Sequence, residues 1–201
     1  MKTTIREVFP ILFYEFDFSV QDQIAPLVEE IQDKKNEIKK YGEGEDYWTD
    51  YRNPNPIKLL EYEKLIDKIS FEFLPEMRCS HIEHWTAIYG KRGYHMAHNH
   101  IKNLYDSPEC NMSSILYLSD IGYTEFFNPR LSADEIHFSV DQPSVVGKMI
   151  MFPSHILHHA MAHKQEDKER IIVSSNWQVY KPTSIDEKEA MLQEKYGKWE
   201  L

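Results

Sequence analysis

The sequence predicts a mainly β fold, an antiparallel sandwich or barrel with helices from the N-terminal part of the chain packed on the sheet. Three observations lead there. After Pro75 the chain falls into short apolar segments separated by turn-forming residues. No run of helical periodicity separates those segments, which disfavours a parallel α/β sheet. The aromatic complement, 12 Tyr and 10 Phe in 201 residues, suits strands.

The elements follow in order. Val8 to Phe18 is aromatic and branched and reads as a strand, broken or begun at Pro10. Ser19, with Asp22 three residues on, suggests a helix start. Ile24, Leu27, Val28, Ile31 and Ile38 then recur at helical spacing, up to Tyr41-Gly42-Glu43-Gly44. A polar, aromatic loop spans Asp46 to Pro54. A second helix is expected from about Ile57 to Leu74, with Leu60, Leu65, Ile66 and Ile69 inward. Strands are expected over Ile82–Tyr89, Tyr94–His98, Ser113–Leu118, Tyr123–Phe127, Ile136–Val140, Lys148–Phe152 and Arg170–Tyr180. After Pro182, Ser184 and Glu187 stand at capping-box spacing, so a short C-terminal helix is expected. The chain reads as one domain over 1–201: an N-terminal strand and helices in 1–79 support a core in 80–181, and 182–201 form the terminal helix.

Net charge is −10, from 33 acidic and 23 basic residues, which argues against a dedicated nucleic-acid binder. Cys79 and Cys110 are too few for a disulfide framework, so a reducing, cytoplasmic setting is expected. Neither a signal peptide nor an apolar run long enough to span a membrane is readable, so no membrane association is expected. Oligomeric state is not readable.

The chemistry-bearing residues lie between Tyr89 and Trp177. His98 and His100 are two apart, so on a strand both imidazoles face one side. His158 follows the strand that ends in Phe152-Pro153. Two ligands from one strand and a third from a distant one is how a sheet builds a metal site, and imidazole suits iron, zinc, copper and nickel alike. The competing reading is coincidence, since the chain has 10 histidines. His159 should point away from His158, and His95, three before His98, should lie on the opposite face of a regular strand. His155 and His163 are expected at the mouth of the site, while His81, His84 and His137 read as structural or exposed.

Arg170 strengthens the site. On the last strand Arg170, Ile172, Ser174, Asn176 and Gln178 share one face, and Ile171, Val173, Ser175, Trp177 and Val179 share the other. The second face reads as packing. The first is polar and carries a guanidinium, which when buried needs an anion. A ligand carboxylate held by the planar fork would serve; so would an Asp or Glu at a barrel rim.

Residues 85 to 177 resemble the 2-oxoglutarate/Fe(II)-dependent oxygenases, and most closely the small branch carrying His-x-His where most members carry His-x-Asp or His-x-Glu. The matching pieces are Trp85, Tyr89 and Gly93, then His98-Asn99-His100, Ser114 to Leu118, Phe127-Asn128-Pro129-Arg130, Pro143 and Gly147, Met149 to Ser154, His158, Arg170 and Asn176. The resemblance implies a double-stranded β-helix, a cupin-like jelly roll, with Fe(II) held by His98 and His158. Arg170 would hold the distal carboxylate of 2-oxoglutarate as co-substrate, with the hydroxyls of Tyr89 and Tyr117 beside it. Hydroxylation of a substrate, with release of succinate and CO2, is the implied reaction.

His100 is the departure from the family's usual triad. It stands as a third nitrogen ligand beside His98 and His158, which is the favoured reading, or as a neighbour outside the coordination sphere, or the carboxylate ligand comes from elsewhere, for instance Asp106 or Glu109. The resemblance also implies that Asp46–Arg52 and Ile101–Cys110 form a lid. Two further readings stand beside the oxygenase: a three-histidine metal cupin that uses no oxo-acid, and a non-catalytic jelly-roll module. The substrate, a small molecule or a protein side chain, is not legible.

Overall fold

The computed structural model describes residues 2–8, 11–20, 22–40, 46–51, 53, 57–72, 77–101, 110–129 and 139–181. Two antiparallel sheets face each other. The large one has the strand order β1 (Lys2–Val8), β2 (Ile11–Asp17), β10 (Lys148–Pro153), β7 (Met112–Tyr117), β12 (Arg170–Tyr180), β5 (Arg78–Tyr89), β4 (Tyr47–Thr49), β3 (Lys39–Lys40). The small one runs β6 (His95–His98), β11 (His158–Ala160), β8 (Tyr123–Phe127), β9 (Ser139–Pro143). From β5 onward the chain steps between the sheets, giving the interleaved pattern of a double-stranded β-helix.

Side-chain parity builds both layers of core. On β10, Met149 and Met151 face the helices while Ile150 and Phe152 face the small sheet. On β7, Leu116 faces one way and Ile115 and Tyr117 the other; on β12, Ile171, Val173 and Trp177 oppose Ile172. Such continuous apolar runs on β7, β10 and β12 fit strands covered on both faces. Helix α1 (Ile24–Lys34) contributes Leu27 and Ile31 to the outer layer, and α2 (Leu60–Glu72) contributes Tyr62, Leu65 and Ile69. Between the sheets, Phe126 sits edge-on to Phe13 (centroids 5.0 Å) and Phe152 (4.8 Å).

The structure corrects several expectations. The strand read over Val8–Phe18 is β2, and β1, which pairs antiparallel with it, was not read. Ser19 caps nothing: its N–H and hydroxyl both donate to Asp17 Oδ1. Helix α1 ends at Lys34, and Ile38 reaches the core from an extended backbone after a 3₁₀ turn. Leu60 lies on the first turn of α2 and is exposed; Tyr62 is buried in its place, its hydroxyl 2.5 Å from Ser175 Oγ. The segment read as loop and lid after Asp46 contains β4, paired with β5. Asp50 fixes it there, accepting from the backbone N–H of Thr86 (2.6 Å) and of Ile57 (3.0 Å). The expected C-terminal helix and residues 102–109 of the second lid lie outside the described residues. No described helix is long and apolar enough to cross a membrane.

Gly147 shapes the turn into β10. Its φ is +78°, its N–H donates to Tyr117 O, and its carbonyl accepts from Phe18 N–H at 2.7 Å. A Cβ there would meet the Ser19 backbone at 2.6 Å. Gly147→Ala is therefore expected to cost about 2 kcal/mol or more, from the left-handed backbone and a clash that no rotamer relieves. Urea denaturation measures this; a loss under about 0.5 kcal/mol, typical of a surface substitution, would contradict it.

Candidate metal centre

Three imidazoles converge at one end of the jelly roll. His98 ends β6, and His158 opens β11 directly opposite it in the ladder. His100 follows two residues later, with its backbone N–H donating to Ser154 O at 2.9 Å. One ring nitrogen from each of His98, His100 and His158 lies within 4.8 Å of the others. Ring centroids stand 4.5 Å apart for 98/158, 5.1 Å for 100/158 and 5.3 Å for 98/100.

The hydrogen bonds decide which nitrogen is offered. His98 Nδ1 lies 2.8 Å from Met96 O, and His158 Nδ1 lies 3.0 Å from Ile156 O. A carbonyl oxygen only accepts, so each Nδ1 carries the proton and each Nε2 keeps its lone pair. His100 Nδ1 is 2.7 Å from Asn176 Oδ1. That amide's orientation is set by its other end, where Nδ2 donates to Glu83 Oε1 at 2.8 Å. All three rings thus have Nδ1 committed as a donor, as second partners do for ligating histidines. Burial, the largest influence, pulls His98 below the usual imidazole range and His158 well below it. Neutral rings with lone pairs aimed at one point are a nitrogen site for a borderline metal.

Arg170 opens β12, paired with Tyr89 of β5. It has no solvent exposure. Its Nη2 donates to Thr124 Oγ1 at 2.7 Å, while Nε and Nη1 have no hydrogen-bond partner among the described residues. The Tyr89 and Tyr117 rings flank the guanidinium with centroids 5.5 and 5.8 Å from Cζ. The Tyr89 hydroxyl bonds Tyr47, and burial pushes it up to about 12. Tyr117 donates to Thr124 Oγ1 at 2.9 Å. The Asp or Glu partner that a rim arginine would have does not appear: among the described residues no carboxylate lies within ion-pair distance of Arg170. Arg170, His98 and His158 line one narrow cleft with Thr124 and Ser174, of about 20 Å3.

Two side chains of the site were not legible as such. Thr124 accepts from both Arg170 and Tyr117, which leaves its own hydroxyl proton for a third partner. Only its inward place on β8, flanked by half-buried Tyr123 and Glu125, could have flagged it. His95 is the other, and it corrects the parity expectation. Between β6 and β11 the register shifts, so that His98 faces His158 and His95 faces Ala160: three steps on one strand match two on the other. The extra residue restores His95 to the side of His98, with ring centroids 4.1 Å apart. His159 points away as expected, 2.9 Å from Glu125 Oε2 at ion-pair distance but without hydrogen-bond geometry. His155 is exposed, and His163 is buried with Nε2 3.1 Å from Tyr89 O. His81 and His84 pack against Tyr62 beneath α2. His137, Asp106 and Glu109 lie outside the described residues.

No protein-family model matches the chain, and no curated protein does. Solved structures do match. A prolyl-4-hydroxylase of Pseudomonas putida is 16% identical with TM-score 0.60, over 83% of this chain and 91% of that one. The epimerase SnoN of nogalamycin biosynthesis, solved with Fe3+, α-ketoglutarate and nogalamycin RO, is 14% identical with TM-score 0.61, over 88% and 84%. The viral collagen prolyl hydroxylase of Paramecium Bursaria Chlorella virus-1, solved as a 2-oxoglutarate complex, is 18% identical with TM-score 0.56, over 82% and 94%. At these identities the likeness establishes the fold, the double-stranded β-helix of such oxygenases.

The buried imidazoles fix a pH dependence. Burial holds His81 and His95 down at about 4 and lowers His84, His98 and His158. Unfolded, these rings titrate near 6.5, so between there and about 4 the unfolded chain binds more protons than the fold. Stability therefore falls as pH falls through that window. Melting of the metal-free protein by circular dichroism should show a lower Tm at about pH 5 than at about pH 7. A Tm that holds or rises on acidification would contradict it.

Proposed function

We propose that the chain is an Fe(II)- and 2-oxoglutarate-dependent oxygenase. One observation carries the reading: a guanidinium with no exposure and two unpartnered nitrogens opens into the cleft where neutral imidazoles converge. A buried cation left unpaired is costly. A dicarboxylate whose far end reaches Arg170 and whose keto-acid end reaches the metal satisfies both groups at once. Fe(II) with 2-oxoglutarate, when bound there, supplies oxidation of a substrate coupled to release of succinate and CO2, and hydroxylation is the outcome we favour.

Each residue then has a task. His98, His100 and His158 would hold the metal through Nε2. Arg170 would donate Nε–H and Nη1–H to the distal carboxylate, and Thr124 would donate its remaining proton to the same group. Tyr89 and Tyr117 wall the guanidinium and keep water from it, so the charge is felt at low dielectric. A cleft of about 20 Å3 holds about one water, so side chains lining it must shift to admit a dicarboxylate. The substrate we expect is a small molecule or a protein side chain. A cupin that uses no oxo-acid leaves the two nitrogens of Arg170 unexplained, and a non-catalytic module leaves the three directed lone pairs unexplained.

Titrating 2-oxoglutarate into the anaerobic Fe(II) protein should produce a weak visible charge-transfer band. Arg170→Gln should keep the metal and weaken 2-oxoglutarate binding by about 2 kcal/mol or more, roughly 30-fold in Kd. Iron bound with no band and no succinate formed would count against the oxygenase. Equal affinity in wild type and Arg170→Gln would remove Arg170 from the co-substrate.

A further inference from the structure

We infer that Asn176, anchored by Glu83, is the positioning residue that turns His100 into a metal ligand. The inference rests on the metal-site reading above and deepens it. His98 and His158 hold their rings with the carbonyl two residues earlier, a local bond that comes with the strand. His100 lies beyond the end of β6, and its Nδ1 goes to Asn176, 76 residues away.

The surroundings of Asn176 close a ring about His100. Asn176 is 2% exposed. Its Oδ1 accepts from His100 Nδ1–H and from Ser113 Oγ at 3.0 Å. Ser113 Oγ is 2.9 Å from Ser154 Oγ, and Ser154 O accepts the His100 backbone N–H. The imidazole and the backbone of His100 are thus tied into one network from two sides. Glu83 orients the amide, because a carboxylate accepts only and so takes the Nδ2 end. This function explains an amide at 176 rather than an acid: the position must accept from an imidazole and donate to a carboxylate, and an aspartate would set two acids together.

Register makes the contact possible. Asn176 is paired with Glu83 and the next residue, Trp177, with His81, so Ile82 is an extra residue on β5. The bulge ends the regular ladder one step past the Glu83–Asn176 pair. Alternation puts Glu83 on the side of Trp85, whose ring lies 5.2 Å from that of His100, and His84 on the helix side; the bulge turns His81 to the helix side as well.

The experiment uses the full chain and Co(II), with affinity read from visible d–d absorption and bound imidazoles counted by X-ray absorption. Asn176→Ala should lose 10- to 100-fold in Co(II) affinity, the usual cost of removing an outer partner. Its imidazole count should fall from three to two. Glu83→Ala should move in the same direction, and Glu83→Gln, which keeps an acceptor oxygen, should restore binding. A purely structural role would lower Tm without changing the count. Three imidazoles and wild-type affinity in a folded Asn176→Ala would overturn the inference. If Asn176→Ala does not fold, the same result in Glu83→Ala would overturn it. His98→Ala separates the two ideas: if it binds Co(II) as wild type does, the metal site itself fails.

Discussion

A full positive charge with no exposure and two unused donors is the condition around which this chain is arranged. Among the described residues Arg170 has one hydrogen bond, to Thr124, and two aromatic walls. Cation–π contact at 5.5 to 5.8 Å offsets only part of the desolvation of a guanidinium. Burial lowers its pKa, yet an arginine stays protonated in a protein. Among the described residues no carboxylate meets that cation, and the proposed co-substrate would supply the anion. Packing on both faces of the large sheet is what allows it: Ile171 and Val173 seal one side while the cleft lies on the other.

Strand parity delivers the rest of the site, and two departures from parity refine it. The direct pairing of His98 with His158 brings residues 60 positions apart into one site. The bulge between β6 and β11 adds His95, and the bulge at Ile82 of β5, one step past the Glu83–Asn176 pair, turns His81 away to the helix side. Each costs one extra residue and re-aims a side chain, the use to which sheets commonly put bulges near functional sites. Neutral imidazoles, held neutral by burial, then offer nitrogen lone pairs without protonation at neutral pH.

The sequence showed those parts that depend on period and spacing. Alternation along Arg170–Tyr180 separated the site face from the packing face correctly, and His-x-His with His158 did come together. Paired strands with the expected apolar runs formed close to the expected places. What failed depends on long-range pairing. The β4 strand has three residues and exists because Asp50 finds the backbone of Thr86 and Ile57. Leu60 fits the helical period yet sits on the first turn of α2, outside the packed stripe. His95 was placed on the wrong face because a bulge has no signature in a string of letters. Glu83 and Thr124 acquire their meaning only from partners 93 and 46 residues away.

A crystal structure of the anaerobic Fe(II)–2-oxoglutarate complex tests the central claim most directly. The account predicts the distal carboxylate accepting from Arg170 Nε and Nη1 at about 2.7–2.9 Å, with His98, His100 and His158 on the metal through Nε2. A keto-acid bound elsewhere, with those two nitrogens still unpartnered, would contradict it.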